Sequence, residues 1–518
     1  MDCVNAKPSR MMFLSTPVIL NPSHFVICLL VLKLCFTHPL AVYPDFGTLF
    51  HQLSGTPLVI APLKEGNLLH SYPKMKANTL NRQFASVFTN DDAAATPDLG
   101  PSPHPSMSNI KINSVGIAKL LKNLNPYKAS GPDGVPARLL KETAEAIAPA
   151  VSLLFQASLD QGTVPTTWKK ALVVPLFKKG NRSSPVNYRP ISLTSILCNL
   201  CEHVVHSAAI NHLTDHKILS DAQHGFRKRR SCDTQLILTI DDLAKGLDEK
   251  GQTDLILLDF SKAFNKVSHR LLLQKIEHYG IRGPTLQWIK DFLSQRTQQV
   301  LVDGKVSTKA NVTSGVPQGS VLGPLLFLSY INDLPSDSVK SSTARLFADD
   351  CALYKRISSP EDATLLQKDL DALQKWEETW LMEFQPSKCQ VVRITNKRKP
   401  TPATYTIHGM TLDEVPSARY LGLNIDKKLN FNTHVDITIK KANSTRAFLQ
   451  RNFYHCSRKI KEATYKTYIR PIVEYAAPAW DARKICHQDL RPQIKRNSIA
   501  QRITMAPKSP SHALQNSL

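Results

Sequence analysis

Apolar positions along the chain fall into two patterns: short unbroken runs and stripes at helical spacing. Leu255-Ile256-Leu257-Leu258 is an unbroken run and reads as a buried strand that ends at Asp259. Ala171 to Leu176 reads as another short buried strand, and Gln390 to Ile394 as a third. Leu346-Phe347-Ala348 and Ala352-Leu353-Tyr354 flank the acidic pair Asp349-Asp350, which predicts a strand, a tight turn and a second strand over 344–354. The stripes Ile147, Val151, Leu154, Phe155 and Leu366, Leu370, Leu373, Trp376, Trp380 predict helices with one face in a core.

Other elements follow from local signals. Helices are expected at 75–89, on both sides of the Gly/Pro-rich loop within 113–142, and through the apolar run 191–205. Two more surround Leu272, Ile276 and Tyr279, with Gly280 as a stop, and Leu286, Ile289 and Phe292. VLVDGKV, 300–306, carries the Asp-Gly signal of a two-residue hairpin turn. RYLGLNID, 419–426, reads as one strand with Gly422 inside it, where another group approaches the backbone. Two basic helices are expected at about 433–452 and 457–477. Residues 1–70 show no sustained periodicity, and the Pro/Ser-rich stretch 91–108 reads as a linker. The expected divisions are 1–70, 71–112, 113–250, 251–396, 397–505 and a 506–518 tail.

Charge changes this picture more than composition does. The 518-residue chain holds 65 Lys+Arg against 42 Asp+Glu, a net +23. Such a balance favours a polyanionic partner, with nucleic acid ahead of an acidic membrane. The 10 cysteines are scattered. Cys198 and Cys201 form one C-x-x-C without a second pair, inside an apolar helical run, so they read as core residues rather than a zinc site. The absence of a disulfide framework points to a reducing compartment, nucleus and cytoplasm. HFVICLLVLKLCF, 24–36, is too short for a comfortable membrane span. Only Lys7 and Arg10 precede it as an n-region, so a signal or anchor is the weaker reading and no stable membrane partner is expected.

Candidate chemistry lies where polar groups interrupt apolar runs. A carboxylate ending a buried strand, Asp259, is costly without a partner, although it could simply cap the next helix. Asp349 and Asp350 repel each other. A hard cation such as Mg²⁺ would resolve that conflict, while a solvated hairpin tip is the bland reading of an isolated Asp-Asp. Lys169, Lys170, Lys178, Lys179, Arg182 and Arg189 punctuate the segment after residue 168, and Arg227, Lys228, Arg229 and Arg230 form a run before a helix. Both suit an anionic ligand; a solvated loop and a nuclear-import patch are their rivals. Gly315, Pro317 and Gly319 shape a loop around Gln318 in which backbone can approach a ligand closely.

The series D-F-S-K-A-F (259–264), S-G-V-P-Q-G-S-V-L-G-P (314–324), F-A-D-D (347–350) and Y-L-G (420–422) resembles the reverse transcriptase of non-LTR, LINE-type retrotransposons, closest to the jockey-like groups. GPDGVPARLLK (131–141), NYRPISL (187–193) and QHGFRKRRS (223–231) extend the likeness over about 71–505. The resemblance implies an α+β right-hand polymerase: pre-palm helices and fingers in 113–250, a ferredoxin-like palm in 251–396, and a primer-grip strand with a helical thumb in 397–505. It implies RNA-directed DNA synthesis from dNTPs on an RNA template and a DNA primer. Asp259, Asp349 and Asp350 would be the catalytic ligands of Mg²⁺, with Mn²⁺ as an alternative. Nucleotide contacts would come from Arg227, Arg230, Phe260, Phe264 as steric gate, Gln318, Gly319 and Lys388. Tyr420, Leu421 and Gly422 would grip the primer.

The chain departs from the family at Asn265, where an acidic residue is usual. Residues 1–70 also lack the constellation of an endonuclease, so that activity is expected from elsewhere. The rival reading is a catalytically inactive or domesticated nucleic-acid-binding relic. A viral RNA-dependent RNA polymerase is disfavoured by Phe264, because RNA synthesis needs room for the 2′-hydroxyl.

Overall fold

The computed structural model describes residues 60–89 and 96–480. The apolar stretch 24–36, most of the expected extension before residue 71, the start of the expected linker and everything after residue 480 lie outside them.

The chain opens with a hairpin, β1 (Leu63–Glu65) and β2 (Leu68–His70), and helix α1 (Pro73–Ala85). Helices α2 (Ser114–Lys122), α3 (Ala137–Glu142) and α4 (Ala144–Asp160) follow. Strands β3 (Lys170–Phe177) and β4 (Tyr188–Leu193) lead to helices α5 (Ile196–Asp215) and α6 (Cys232–Asp248). Next come β5 (Gln252–Asp259), α7 (His269–His278) and α8 (Gly283–Leu293). Strands β6 (Arg296–Val302), β7 (Lys305–Val306) and β8 (Ala310–Val312) precede α9 (Gly323–Tyr330). The hairpin β9 (Thr343–Phe347) and β10 (Asp350–Arg356) is followed by α10 (Pro360–Trp380) and β11 (Gln390–Thr395). Helix α11 (Asn432–Asn452) closes the larger elements.

Two sheets organise these elements. One has the order Asp413–Glu414, β11, β5, β10, β9, with β5 antiparallel to both neighbours. The other runs β4, β3, β6, β7, with β8 also on β6. The first sheet is covered on both faces, which is why β5 is apolar without alternation. Ile256, Leu258, Cys351 and Leu353 join the main core with α4, α5 and α7 to α10. Leu255, Ala352, Tyr354, Val392 and Ile394 join a second core with α6 residues Leu236, Ile240 and Leu243. The predicted stripe of α10 is buried as expected. Cys198 and Cys201 are buried core thiols.

Two expectations are corrected. Residues 96–112 do not hang as a linker: Met107 N–H donates to Gly280 O at 2.8 Å, Ser102 Oγ donates to His278 O at 2.6 Å, and Ile110 and Ile112 pack on the core. Residues 419–426 are not one strand. Ser417–Tyr420 and Leu423–Asp426 pair as a hairpin around Leu421 and Gly422, both at positive φ, because Gly422 accepts a turn conformation that a strand interior does not need. The second basic helix forms over 458–474 as expected, with one wider turn at Tyr465–Ile469 inside it. No helix among the described residues is long and apolar enough to cross a membrane.

The end of β5 is braced from α10. Phe260 bridges to Phe384, and their rings stack at 4.2 Å. Glu377, 1% exposed, accepts the Phe384 N–H, and His408 Nε2 lies 3.2 Å from its other oxygen. Burial, reinforced by Glu383 and Glu378, pushes the Glu377 carboxyl up to about 8 against the pull of that N–H. Between the ordinary 4.5 and about 8, the folded chain keeps a proton that the unfolded chain releases, so this group makes stability fall as pH rises through that window. Glu377→Gln is expected to flatten that part of the slope. Glu377→Leu should cost about 1–3 kcal/mol at either end, because Phe384 N–H is left buried without an acceptor. Urea denaturation at pH 5 and pH 8 checks both.

Candidate active site

The β5–β10 register decides the geometry. Asp350 is paired directly with Asp259, and Asp350 also closes the β9–β10 turn opposite Phe347. Asp349 sits in the turn, one residue after Ala348, whose φ is +54°. Three carboxylates from remote stretches therefore meet at one end of the sheet. The segment after α10 extends this edge: Gln385 N–H donates to Asp259 O at 2.8 Å, and Ser261 N–H donates to Glu383 O at 2.7 Å. The short turn Pro386–Lys388 then brings Lys388 Nζ to 3.6 Å from Asp259 Oδ2.

The electrostatics follow from this crowding. Burial first, then Asp259, pushes the Asp349 carboxyl above the usual range, while Arg189 and Lys178 pull it down. Asp350 is pushed up to about 6 by burial, then by Asp349 and Asp259. The cations feel each other too. Burial together with Arg189 and Lys388 holds the Lys178 ammonium below its ordinary value, and burial with Lys178, Lys388 and Arg189 does the same to Lys262. Lys178 and Arg189 flank the β3–β4 connection, where Leu176 pairs with Arg189. Lys262 stands three residues beyond Asp259 in a left-handed conformation.

Asp259, Asp349 and Asp350 offer only hard carboxylate oxygens, the donor set that Mg²⁺ and Mn²⁺ accept. They are brought together but not closed: among the described residues no group of three or more His, Cys, Asp or Glu side chains is arranged to hold an ion.

Other expected site residues divide into those that reach the carboxylate cluster and those that do not. Phe264 is half-buried, stacked on Phe327 at 4.4 Å and edge-on to Phe226 at 6.3 Å. Gln318 Nε2 donates to Asn265 Oδ1 at 2.9 Å, so the unusual Asn265 pins this loop. Gly315 and Gly319 are close-approach positions, but to protein. A Cβ at Gly315 would lie 2.7 Å from Phe264 O, and one at Gly319 2.7 Å from Ser192 O. Phe260 is 3% exposed and belongs to the core, so its ring is withdrawn from any nucleotide.

Tyr420 is likewise buried, with its hydroxyl accepting from Gln235 Nε2 at 3.0 Å; only the turn Leu421-Gly422 is left at the hairpin tip. Tyr475 holds that turn, its OH donating to Leu421 O at 2.6 Å. Arg227 and Arg230 each bond the chain itself through part of their guanidinium groups. Arg227 Nη1 donates to Ser220 O at 2.6 Å, and Arg230 donates to Asp221 O at 2.7 Å and Asp221 Oδ1 at 2.5 Å.

Residues 177–425 match the family model described as reverse transcriptase (RNA-dependent DNA polymerase). These residues are a reverse transcriptase domain. The chain is 30% identical over 410 residues to the Drosophila melanogaster protein named probable RNA-directed DNA polymerase from transposon BS, covering 76% of this chain and 44% of that protein. It is 28% identical over 405 residues to the RNA-directed DNA polymerase from mobile element jockey of the same species, covering 76% and 44%. A third relative is the probable RNA-directed DNA polymerase from transposon X-element, also of D. melanogaster, 28% identical over 400 residues and covering 75% and 43%. The chain thus spans less than half the length of these curated relatives. The matched span contains all three carboxylates, Lys178, Arg189, Phe264, Gln318 and Lys388.

The exposed cations of the reverse transcriptase domain separate from the structural ones by stability. Arg227→Ala is expected to cost about 1–2 kcal/mol, because two backbone carbonyls lose their donor. Lys178→Ala and Arg189→Ala should each stay within about 0.5 kcal/mol of the unmodified chain. Guanidinium denaturation of the three variants measures the difference.

Proposed function

We propose that the chain is the polymerase segment of a non-LTR retrotransposon, an RNA-directed DNA polymerase that extends a DNA primer on an RNA template with dNTPs. One observation carries the reading: the β5–β10 register sets Asp259 against Asp350 with Asp349 in the adjoining turn, inside the reverse transcriptase span. The sheet bearing these residues serves as the palm. The sheet containing β3 and β4, with the basic loop before α6, serves as the fingers. The Leu421-Gly422 hairpin grips the primer, and α11 with the helices after it forms the thumb.

Asp259, Asp349 and Asp350 would hold the divalent ions, which when bound lower the pKa of the primer 3′-hydroxyl and neutralise charge on the leaving pyrophosphate. The remaining work falls to the chain. Lys178, Arg189, Lys262 and Lys388 stand around the carboxylates and receive the triphosphate, ahead of Arg227 and Arg230, which already bond Ser220 O and Asp221. The Phe264 ring, backed by Phe327, blocks a 2′-hydroxyl and selects deoxynucleotides. Asn265 accepts from Gln318 and keeps the loop beneath the nucleotide in place, so the departure from the family pattern leaves the site assembled.

Primer extension on poly(rA)/oligo(dT) with Mg²⁺ tests the reading. The chain should incorporate dTTP, and Asp349→Ala should lose roughly a hundredfold or more; equal incorporation by both, or none by either, would sink it. In the same assay Lys178→Ala and Arg189→Ala should raise the dTTP KM by about three- to tenfold. Phe264→Val should admit UTP, and unchanged ribonucleotide use would remove the gate assignment.

A further inference from the structure

The acidic turn is not held by its own hairpin alone. Ala348, immediately before Asp349, has φ +54°, a region that side-chain-bearing residues rarely adopt unless their surroundings impose it. Those surroundings come from a stretch more than a hundred residues earlier. Gln223 Oε1 accepts the Ala348 N–H at 2.9 Å, and Gln223 Nε2 donates to the Ala348 carbonyl at 3.3 Å. The same Oε1 accepts from Gly225 N–H at 2.7 Å, which fixes the orientation of the amide.

Backbone pairing supports this contact. Leu346 N–H donates to Ala222 O, and His224 N–H donates to Leu346 O, each at 2.9 Å, so residues 222–224 run as an added edge along β9. Gly225 then fits against the turn itself, since a Cβ there would fall 2.3 Å from Ala348 N. Gln223 is 4% exposed and therefore has no solvent-facing role.

We propose that Gln223 is a positioning residue: its carboxamide engages both backbone polar groups of Ala348 and fixes the turn so that the Asp349 carboxylate is held toward Asp259 for divalent-ion binding. Gly225 permits the approach by having no side chain. The proposal rests on reading Asp259, Asp349 and Asp350 as an ion site, and it predicts that the clamp governs ion affinity rather than nucleotide affinity.

The test uses Gln223→Met, which keeps the side-chain volume and loses all three hydrogen bonds, and a Gln223→Met/Ala348→Gly double variant. Glycine takes positive φ freely and needs no clamp to hold it there. Mn²⁺ binding is followed by the electron paramagnetic resonance signal of the free ion, beside Mg²⁺ titrations of primer extension and thermal unfolding. Gln223→Met should weaken Mn²⁺ binding roughly tenfold and move the Mg²⁺ midpoint equally. The dTTP KM at saturating Mg²⁺ should stay within about twofold, and Ala348→Gly should recover most of the lost ion affinity.

A Gln223→Met chain that binds Mn²⁺ like the unmodified one, with only a lower unfolding temperature, would reduce the contact to a structural brace and overturn the proposal. An unmodified chain that binds no Mn²⁺ would overturn it as well. An unmodified chain that extends no primer, yet binds Mn²⁺ more tightly than Gln223→Met, would sink the polymerase reading and leave the positioning role standing.

Discussion

Like-charge repulsion at the end of one strand pair is the constraint to which the surrounding structure answers. Directly opposed residues of an antiparallel pair sit about 4.5–5.5 Å apart at Cα. Two full negative charges about 5 Å apart repel by roughly 3 kcal/mol at an effective dielectric near 20. The chain places Asp350 opposite Asp259 and adds Asp349 next door. Such an arrangement persists only if the backbone has no cheaper way to separate the charges. The sheet supplies that rigidity, because β5 is paired on both sides and covered on both faces by core side chains.

The neighbouring elements each serve the same end from a different side. The segment 383–385 pairs with Asp259 and Ser261, and buried Glu377 ties that segment back to α10. Residues 222–225 flank the acidic turn from the far edge. The Gly315 loop locks onto the backbone of Phe264 and Asn265, and Gly319 onto β4. Cations stand around the carboxylates: Lys178 and Arg189 from the other sheet, Lys262 just beyond β5 and Lys388 just before β11. Lys178 and Arg189 favour the charged forms of Asp349 and Asp350, and Lys388 lies 3.6 Å from Asp259.

Much of this was legible in the linear pattern. The apolar run ending at Asp259, the runs around Asp349-Asp350 and the stripe of α10 appear where periodicity placed them, because burial on two faces or one leaves a distinct alternation. The Asp303-Gly304 turn also formed as its residues require. The misses have a common cause. Phe260 and Tyr420 lie within motifs that carry chemistry, yet their side chains point into cores, and alternation along a strand sends neighbouring residues to opposite faces. Lys275 on α7 carries no local signal of burial. It is 1% exposed, lies over the Trp380 ring at 3.4 Å and pairs with Asp333 at 2.6 Å, none of which periodicity can report.

By itself, the sequence determined which residues could carry the chemistry, because acidic groups bounded by apolar runs and glycines at forced turns are written locally. Only the tertiary structure decided which of those groups meet. Register across β5 and β10 chose Asp350 as the partner of Asp259. Packing chose Lys178 and Arg189 as the cations near the carboxylates and committed Arg227 and Arg230 to carbonyls of their own loop. The physical reason is that a hydrogen bond or an ion pair depends on distance in space, and strand pairing across a hundred residues sets that distance without leaving a local trace in the chain.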